Sequence, residues 1–550
     1  MKMKKITLIC LLGAALQATA QENPNDSTLT RTVVVEHEYA PEIEDARKID
    51  ILPPVAPPAV SKKEVAYDLQ QRPVVPYATT LSRYDAPEAP ARPLPGYVRA
   101  GMGNRGRLDL LGRYRARLSD TDRLSLHLQL DGLKSKDDRA DGEWNRHDYH
   151  TQGGLSYEHD FQGYMLDAAA HLGLRNFNVL PILQGSPLRN QRFTSGDLHL
   201  GFRSTDPQRS IQFKGETNLL FYNRAHESAT ESIGETAIRT LADVSSQLPT
   251  EGMRVGLAVQ MDNYFYNRPL IDNRTDLSLN PYFALEQGDW QLRAGLRTDW
   301  AMGSGKTFYA APDLRASYRI TRRGQLYLQA TGGKLANDFR RIERINPYLY
   351  IEEEPLRSTY EQLNAALGLR ISPTDGVWLH LYGGMQMLTD DLGFRIYPDL
   401  TSSAAPAREQ WQQGKTRNIY GGGELLWDYR SLVKLNASLL YRSWKDVDDL
   451  DLLFYKPTLD ARVQIDFTPL TALDIHIGYH HQQREEAAQA ASELKPDPIS
   501  NLYAGATYQQ LWPGISLYVQ ADNLLNKKYQ ATLCSPQEGI TLLGGVVFRF

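Results

Sequence analysis

The 550-residue chain has only two cysteines, and neither sign of charge dominates: 61 Lys and Arg stand against 65 Asp and Glu, a formal charge of −4. So few cysteines exclude a disulfide scaffold and a cysteine-rich zinc module. The missing basic excess excludes nucleic acid as a partner. Beyond the N-terminus no apolar run approaches the length of a membrane-spanning helix, and the mean hydropathy is −0.46, which together exclude a multi-span helical membrane protein. Catalytic signatures are also lacking. There is no Gly-x-Ser-x-Gly elbow, no phosphate-cradling Gly-Lys-Ser loop and no persuasive Ser/His/Asp set, so neither an enzyme nor a cofactor is expected. Tyrosine and glycine are plentiful instead: 30 Tyr against 15 Phe, with 41 Gly.

The first twenty residues read as an export signal. Lys2, Lys4 and Lys5 precede a short apolar stretch from Ile6 to Leu16, and Ala18-Thr19-Ala20 forms a small-residue cleavage site. Cleavage there leaves Cys534 as the one remaining cysteine, which suits an exported protein without a structural disulfide. Residues 21–95 follow as a proline-rich leader. Eleven of the 30 prolines fall between Pro41 and Pro95, a density that favours extended, unpaired backbone.

From Gly96 to Phe550 the period is two. Leu124, Leu126, Leu128 and Leu130 alternate with Ser125, His127, Gln129 and Asp131; Val433 to Tyr441 and Leu459 to Phe467 alternate the same way. This puts apolar groups on one face of a sheet and polar groups on the other. Short turns near residues 121, 161, 207, 249, 288, 322, 374, 430, 470 and 512 are separated by longer polar segments, of which Leu335 to Arg357 and Asp390 to Lys415 are the longest. Short turns at one end and long loops at the other are the rhythm of a transmembrane barrel. Ten turns and eleven loops make 22 strands. The expected fold is therefore all-β, a transmembrane antiparallel β-barrel with its outer face in outer-membrane lipid. Tyrosine then serves the interfaces and glycine the close-packed wall.

Two C-terminal motifs carry a resemblance. The last strand, Gly539 to Phe550, sets Ile540, Leu542, Val546, Phe548 and Phe550 on one face and ends on an aromatic ring. With Val546, Phe548 and Phe550 at its core, it resembles the assembly signal read by the barrel-assembly machinery. Before it, Asp522-Asn523-Leu524-Leu525-Asn526-Lys527-Lys528-Tyr529 resembles the penultimate-strand motif of TonB-dependent outer-membrane receptors. That resemblance implies 22 strands, an outer-membrane location, solute uptake and TonB as a partner. The chain departs from the pattern ahead of Gly96, where the leader is too short and too rich in proline for the standard plug. Thr32-Val33-Val34-Val35-Glu36 resembles the short box that pairs with TonB by strand addition. A leader strand that docks another periplasmic protein or the barrel's own lumen is the alternative.

The remaining candidates lie in the barrel. His476 and His480 share the lumenal face of one strand with His481 beside them, and solvated lumen residues are expected rather than a metal site. His147 and His150 point to opposite faces. Arg113, Arg115 and Arg117 form a lumenal basic row, expected to pair with Asp and Glu of facing strands. The external loop Phe339 to Glu354 combines Arg340, Arg341 and Arg344 with Tyr348 and Tyr350. It either clamps a ligand or partner at the barrel mouth or folds over the lumen and neutralises its own charges. Two roles follow. One is passage of a solute across the outer membrane; the other is a barrel subunit or scaffold of a larger outer-membrane complex, with the leader as docking arm. An empty cylinder of this width would be a damaging pore, so the leader, inward-folded loops or a partner protein is expected to close it.

Overall fold

The computed structural model describes residues 95–550, apart from 140–141, 180–188, 207–208, 227–231, 269–270, 304–306, 348–356, 398–407, 446–449, 454, 486–496, 533–534 and 537. The export signal, the leader and its Thr32–Glu36 segment lie outside the described residues.

The sheet runs through β1 (Gly96–Gly103), β2 (Leu108–Arg117), β3 (Asp122–Arg139), β4 (Gly142–Phe161), β5 (Tyr164–Val179), β6 (Arg189–Ser204), β7 (Ile211–His226), β8 (Ile233–Gln247), β9 (Met253–Tyr266), β10 (Arg274–Gln287) and β11 (Trp290–Met302). It continues through β12 (Phe308–Thr321), β13 (Gly324–Leu335), β14 (Thr359–Ile371), β15 (Val377–Tyr397), β16 (Arg408–Tyr429), β17 (Val433–Lys445), β18 (Pro457–Leu470), β19 (Leu473–Arg484), β20 (Ile499–Trp512) and β21 (Ile515–Asp522). A small separate ribbon of β22 (Gln530–Thr532) and β23 (Ser535–Pro536) precedes the last wall strand, β24 (Thr541–Arg549). Each wall strand pairs antiparallel with its neighbours, and β24 returns to β1 in the register Val98↔Phe548 and Ala100↔Val546. The 22-stranded sheet is closed. Closure leaves no open edge, so every strand has a partner on both sides, as lipid requires.

The expected alternation is realised in three dimensions. Leu126, Leu128, Leu439, Tyr441, Val463, Ile465 and Phe467 are exposed on the outer wall. Asp109, His476 and Asn418 face inward and are buried. Each of the ten expected short turns falls between consecutive wall strands, the one near residue 207 lying partly outside the described residues. At Pro513-Gly514 the proline presets the first corner, while Gly514 takes φ +77°. A Cβ on Gly514 would lie 2.5 Å from the Arg549 carbonyl oxygen, at the point where the Arg549 N–H donates to the Gly514 carbonyl at 2.7 Å.

At the opposite end the connections vary, and two of them are as short as the turns. Only residues 104–107 join β1 to β2, as a single 3-10 turn, and residues 140–141 join β3 to β4. The polar sequence around residues 140–141 belongs to strands of 18 and 20 residues, longer than the roughly 9–11 that a bilayer needs. Asp390 to Lys415 is corrected in the same way. Most of it is strand: β15 and β16 span 21 and 22 residues and pair from Val377↔Trp427 out to Tyr397↔Arg408.

Candidate functional site

Leu335 to Arg357 is the connection that turns inward. Its helix α1 (Phe339–Ile345) starts where the Asp338 carboxylate accepts the Arg341 backbone N–H at 2.7 Å, an N-cap. Phe339, Ile342 and Ile345 recur at helical spacing, so one face of α1 is apolar. That face buries Phe339 and Ile342 against Phe177 of β5, Phe193 of β6, Tyr222 of β7 and Ile233 of β8. The same apolar cluster takes in Leu392 of β15 and Tyr455 from the β17–β18 connection. Strands β5 and β15 are ten apart in the wall, so the cluster bridges well-separated parts of the barrel across its external mouth.

Polar contacts fix the orientation of α1. Arg340 donates to the Gly196 carbonyl at 2.7 Å and to the Phe221 carbonyl at 3.1 Å, and its guanidinium pairs with Asp197 of β6. The Tyr222 hydroxyl donates to Glu343 at 2.6 Å, and Arg175 of β5 lies 3.8 Å from that carboxylate. The buried Arg224 of β7 donates to the Pro347 carbonyl at 3.1 Å. Backbone carbonyls of the wall are satisfied within the ladder, yet each has a second lone pair that a guanidinium reaches.

The neck of this loop is tied to the neighbouring hairpin. Asn337, fully buried, donates to the Arg357 carbonyl at 2.6 Å and to the Thr359 hydroxyl at 3.1 Å. The Thr359 hydroxyl donates to the Asp390 carbonyl at 2.8 Å, and Gln413 of β16 donates to the Arg357 and Asp390 carbonyls at 2.6 and 3.0 Å. Asp390 takes φ +52° at the point where the β15–β16 register shifts, and its carbonyl serves both contacts.

Between α1 and the β3–β7 wall lies a cavity of about 650 Å³. Its lining carries Arg107, Arg146, Arg175, Arg340 and Arg344 together with Asp131, Asp148, Asp197, Glu343 and Glu538. The charges are matched. Arg175 forms a two-pronged pair with Asp148 at 3.1 and 2.8 Å, and Glu538 is gripped by Arg107 at 2.7 Å and Arg146 at 3.0 Å. Removing one member of such a shielded set strands its partner, so these pairs act as position locks more than as a net source of stability.

Of the expected loop residues, the structure brings Arg340 onto the wall and holds Arg341 at the N-cap, while Arg344 stays exposed with a 3.4 Å contact to the Arg340 carbonyl. Tyr348 and Tyr350 lie outside the described residues. The described part of the loop thus folds inward, with Arg340 and Glu343 met by residues of the wall rather than by charges of the loop itself. Two members of the lumenal arginine row are paired, Arg115 to Glu158 at 3.6 Å and Arg117 to Asp120 at 2.8 Å, though Asp120 comes from the turn and not from a facing strand.

The Asp522–Tyr529 segment works as a staple. Asn523, fully buried at φ +50°, donates through its side-chain amide to the Lys527 carbonyl at 2.9 Å and the Glu538 carbonyl at 2.7 Å, while its Oδ1 accepts from the Lys527 N–H at 3.0 Å. The Leu524 N–H donates to the Leu502 carbonyl at 2.8 Å, and Asn526 accepts from the Ile540 N–H at 3.3 Å. Asp522 and Tyr529 are buried, and burial pushes the Tyr529 hydroxyl up to about 12. This geometry sets Glu538 in place for its two arginines. In the last strand Val546, Phe548 and Phe550 all face outward, with the Phe548 and Phe550 rings stacked at 5.1 Å.

The histidines need one correction. His476 is buried rather than solvated, with its ring centroid 6.4 Å from that of Tyr503 on the neighbouring strand. His480 lies 3.4 Å from Asp460, and His481 faces the other way, 3.0 Å from the Ser500 hydroxyl. Among the described residues no group of three or more His, Cys, Asp or Glu is placed to hold a metal. Sequence reasoning missed Asn337, Asp197, Tyr222 and Glu538, whose roles arise only from contacts between distant strands.

No protein-family model matches the sequence, and no curated protein matches it. Solved structures do. The chain is similar to the ferric-catecholate import receptor Fiu from K12 E. coli in its closed form, with a TM-score of 0.61 and 10% identity over 84% of this chain and 82% of that one. It is similar to the ferric enterobactin receptor PfeA from Pseudomonas aeruginosa, in complex with enterobactin, with a TM-score of 0.62 and 12% identity over 83% and 81%. It is also similar to the copper transporter OprC, with a TM-score of 0.59 and 12% identity over 84% of each. At such identities the likeness is one of fold. In fold, the chain is a closed 22-stranded antiparallel β-barrel like the barrels of these receptors.

Proposed function

We propose that the protein resides in the outer membrane and takes up a solute through its lumen, with its external mouth closed at rest by its own loops. The observation that carries this reading is the α1 cluster, which joins β5–β8 to β15 above a polar cavity. A scaffold has no need to keep a charge-lined chamber beneath an inward helix. A transporter needs both: a chamber in which a solute exchanges its water for fixed donors and acceptors, and a closure that prevents leakage. The solved neighbours described as import receptors and a copper transporter favour the same reading. In it, Thr32–Glu36 of the leader is the segment that couples passage to an energised periplasmic partner by strand addition, in place of a standard plug. The outward row Val546, Phe548 and Phe550 is the surface read during assembly.

The test is genetic. A deletion strain complemented with the full chain, or with the chain lacking residues 31–36, is grown on a panel of single limiting nutrients. At least one nutrient is expected to support growth only with the full chain, while both proteins reach the outer membrane at equal levels. Equal growth of all strains on every nutrient, with the barrel recovered only in a fixed complex with other outer-membrane proteins, contradicts the proposal and identifies a scaffold.

A further inference from the structure

We propose that His127 and His171 form a chelating pair for a divalent transition-metal ion in the lumenal cavity. The pair arises from register. His127 of β3 lies opposite Gly154 of β4, and Gly154 lies opposite His171 of β5, so the three residues make one row across three strands on the lumenal face. Strands two apart are separated by roughly 9.5 Å, too far for their side chains to meet without leaning. Here they lean. The ring centroids are 5.1 Å apart with a 42° tilt, because the central residue has no side chain. A Cβ built on Gly154 would fall 2.1 Å from Cε1 of His127 and 2.4 Å from Cδ2 of His171.

The centroid spacing is one that two imidazoles on a common ion can adopt. An ion held at about 2.0–2.1 Å from an imidazole nitrogen sits about 3.2 Å from the ring centre, so two rings at a tetrahedral angle have centroids about 5 Å apart. Both histidines line the cavity, which leaves room for the ion's remaining ligands. Asp197 extends the row, opposite His171 on β6, but its carboxylate is engaged by Arg340 of α1, so among the described residues the protein supplies the two imidazoles alone. Imidazole ligands select Cu²⁺, Ni²⁺ or Zn²⁺ over Ca²⁺ and Mg²⁺. With two protein ligands the site is open, completed by water or by donor atoms of a bound molecule. The site belongs to the barrel wall and stands whether or not the protein transports.

The experiment uses the full mature chain in detergent, with its barrel fold verified by heat-dependent gel mobility. One equivalent of Cu²⁺ is expected to give an electron paramagnetic resonance spectrum with two imidazole nitrogens. His127→Asn and His171→Asn each remove one nitrogen, the double variant loses the signature, and His150→Asn in the same cavity keeps it. Gly154→Ala retains both histidines but forces the rings apart, and is expected to weaken Cu²⁺ binding by roughly tenfold or more. In the unaltered protein, Zn²⁺ is expected to protect both histidines from diethylpyrocarbonate. A double variant with the wild-type spectrum, or equal modification of both residues with and without Zn²⁺, overturns the proposal.

Discussion

Leu335–Arg357 and Asp390–Lys415 are the two longest polar segments outside the short turns of the sequence, and they fold in opposite ways. The first holds α1 and turns into the lumen; the second climbs as β15 and β16, paired out to Tyr397↔Arg408. Periodicity separates them. Phe339, Ile342 and Ile345 repeat every three residues, whereas Leu392, Phe394 and Ile396 repeat every two. The hairpin is held by its own ladder. The helix has seven residues, too few to be stable alone, and depends on the wall beneath it. The comparison teaches that the inward fold of this loop is a matter of side-chain packing, and so is separable from the barrel.

Substitutions test that separation. Phe339→Ala empties a fully buried site and should cost α1 roughly 3–5 kcal/mol of docking, with the loop becoming cleavable by external protease in intact cells. A loop that stays protected would mean that α1 does not rest on this contact. Leu392→Ala should cost about 2–4 kcal/mol in the same cluster, yet hydrogen exchange along β15 and β16 should stay unchanged, since the ladder rather than Leu392 holds the hairpin. Faster exchange there would erase the distinction. Asn337→Ala, which leaves the Arg357 carbonyl with one donor fewer at the neck, should cost roughly 1–3 kcal/mol and loosen the base of the loop, measured as partial protease cleavage. Arg344→Ala should change protection by less than about 0.5 kcal/mol, because Arg344 is exposed with a single long contact.

The wall was legible because its signals are local. Pro513-Gly514 names its turn, and Leu124 to Asp131 names its two faces without help from the rest of the chain. The terminal aromatic strand was placed correctly for the same reason. The lumen was not legible. Glu538 meets Arg107 and Arg146 across 431 and 392 residues, and His127 meets His171 only through a glycine on the strand between them. Such contacts depend on register summed over many strands, which no local pattern encodes. In Leu335–Arg357 the Asp338 cap and the spacing of Phe339, Ile342 and Ile345 were present, but a single helical turn or two is hard to separate from a polar loop. The Asp522–Tyr529 motif was visible as a resemblance, while its physical work as the staple that seats Glu538 required the structure.

Single-barrel conductance in a planar bilayer tests the central claim most directly. The purified full chain is compared with a variant in which residues 337–357 are replaced by a short Gly/Ser linker. The account predicts a small or absent conductance for the full chain and a severalfold larger, stable one for the variant, at equal barrel content. Equal conductance for the two would contradict it, and would show that α1 does not close the mouth it crosses.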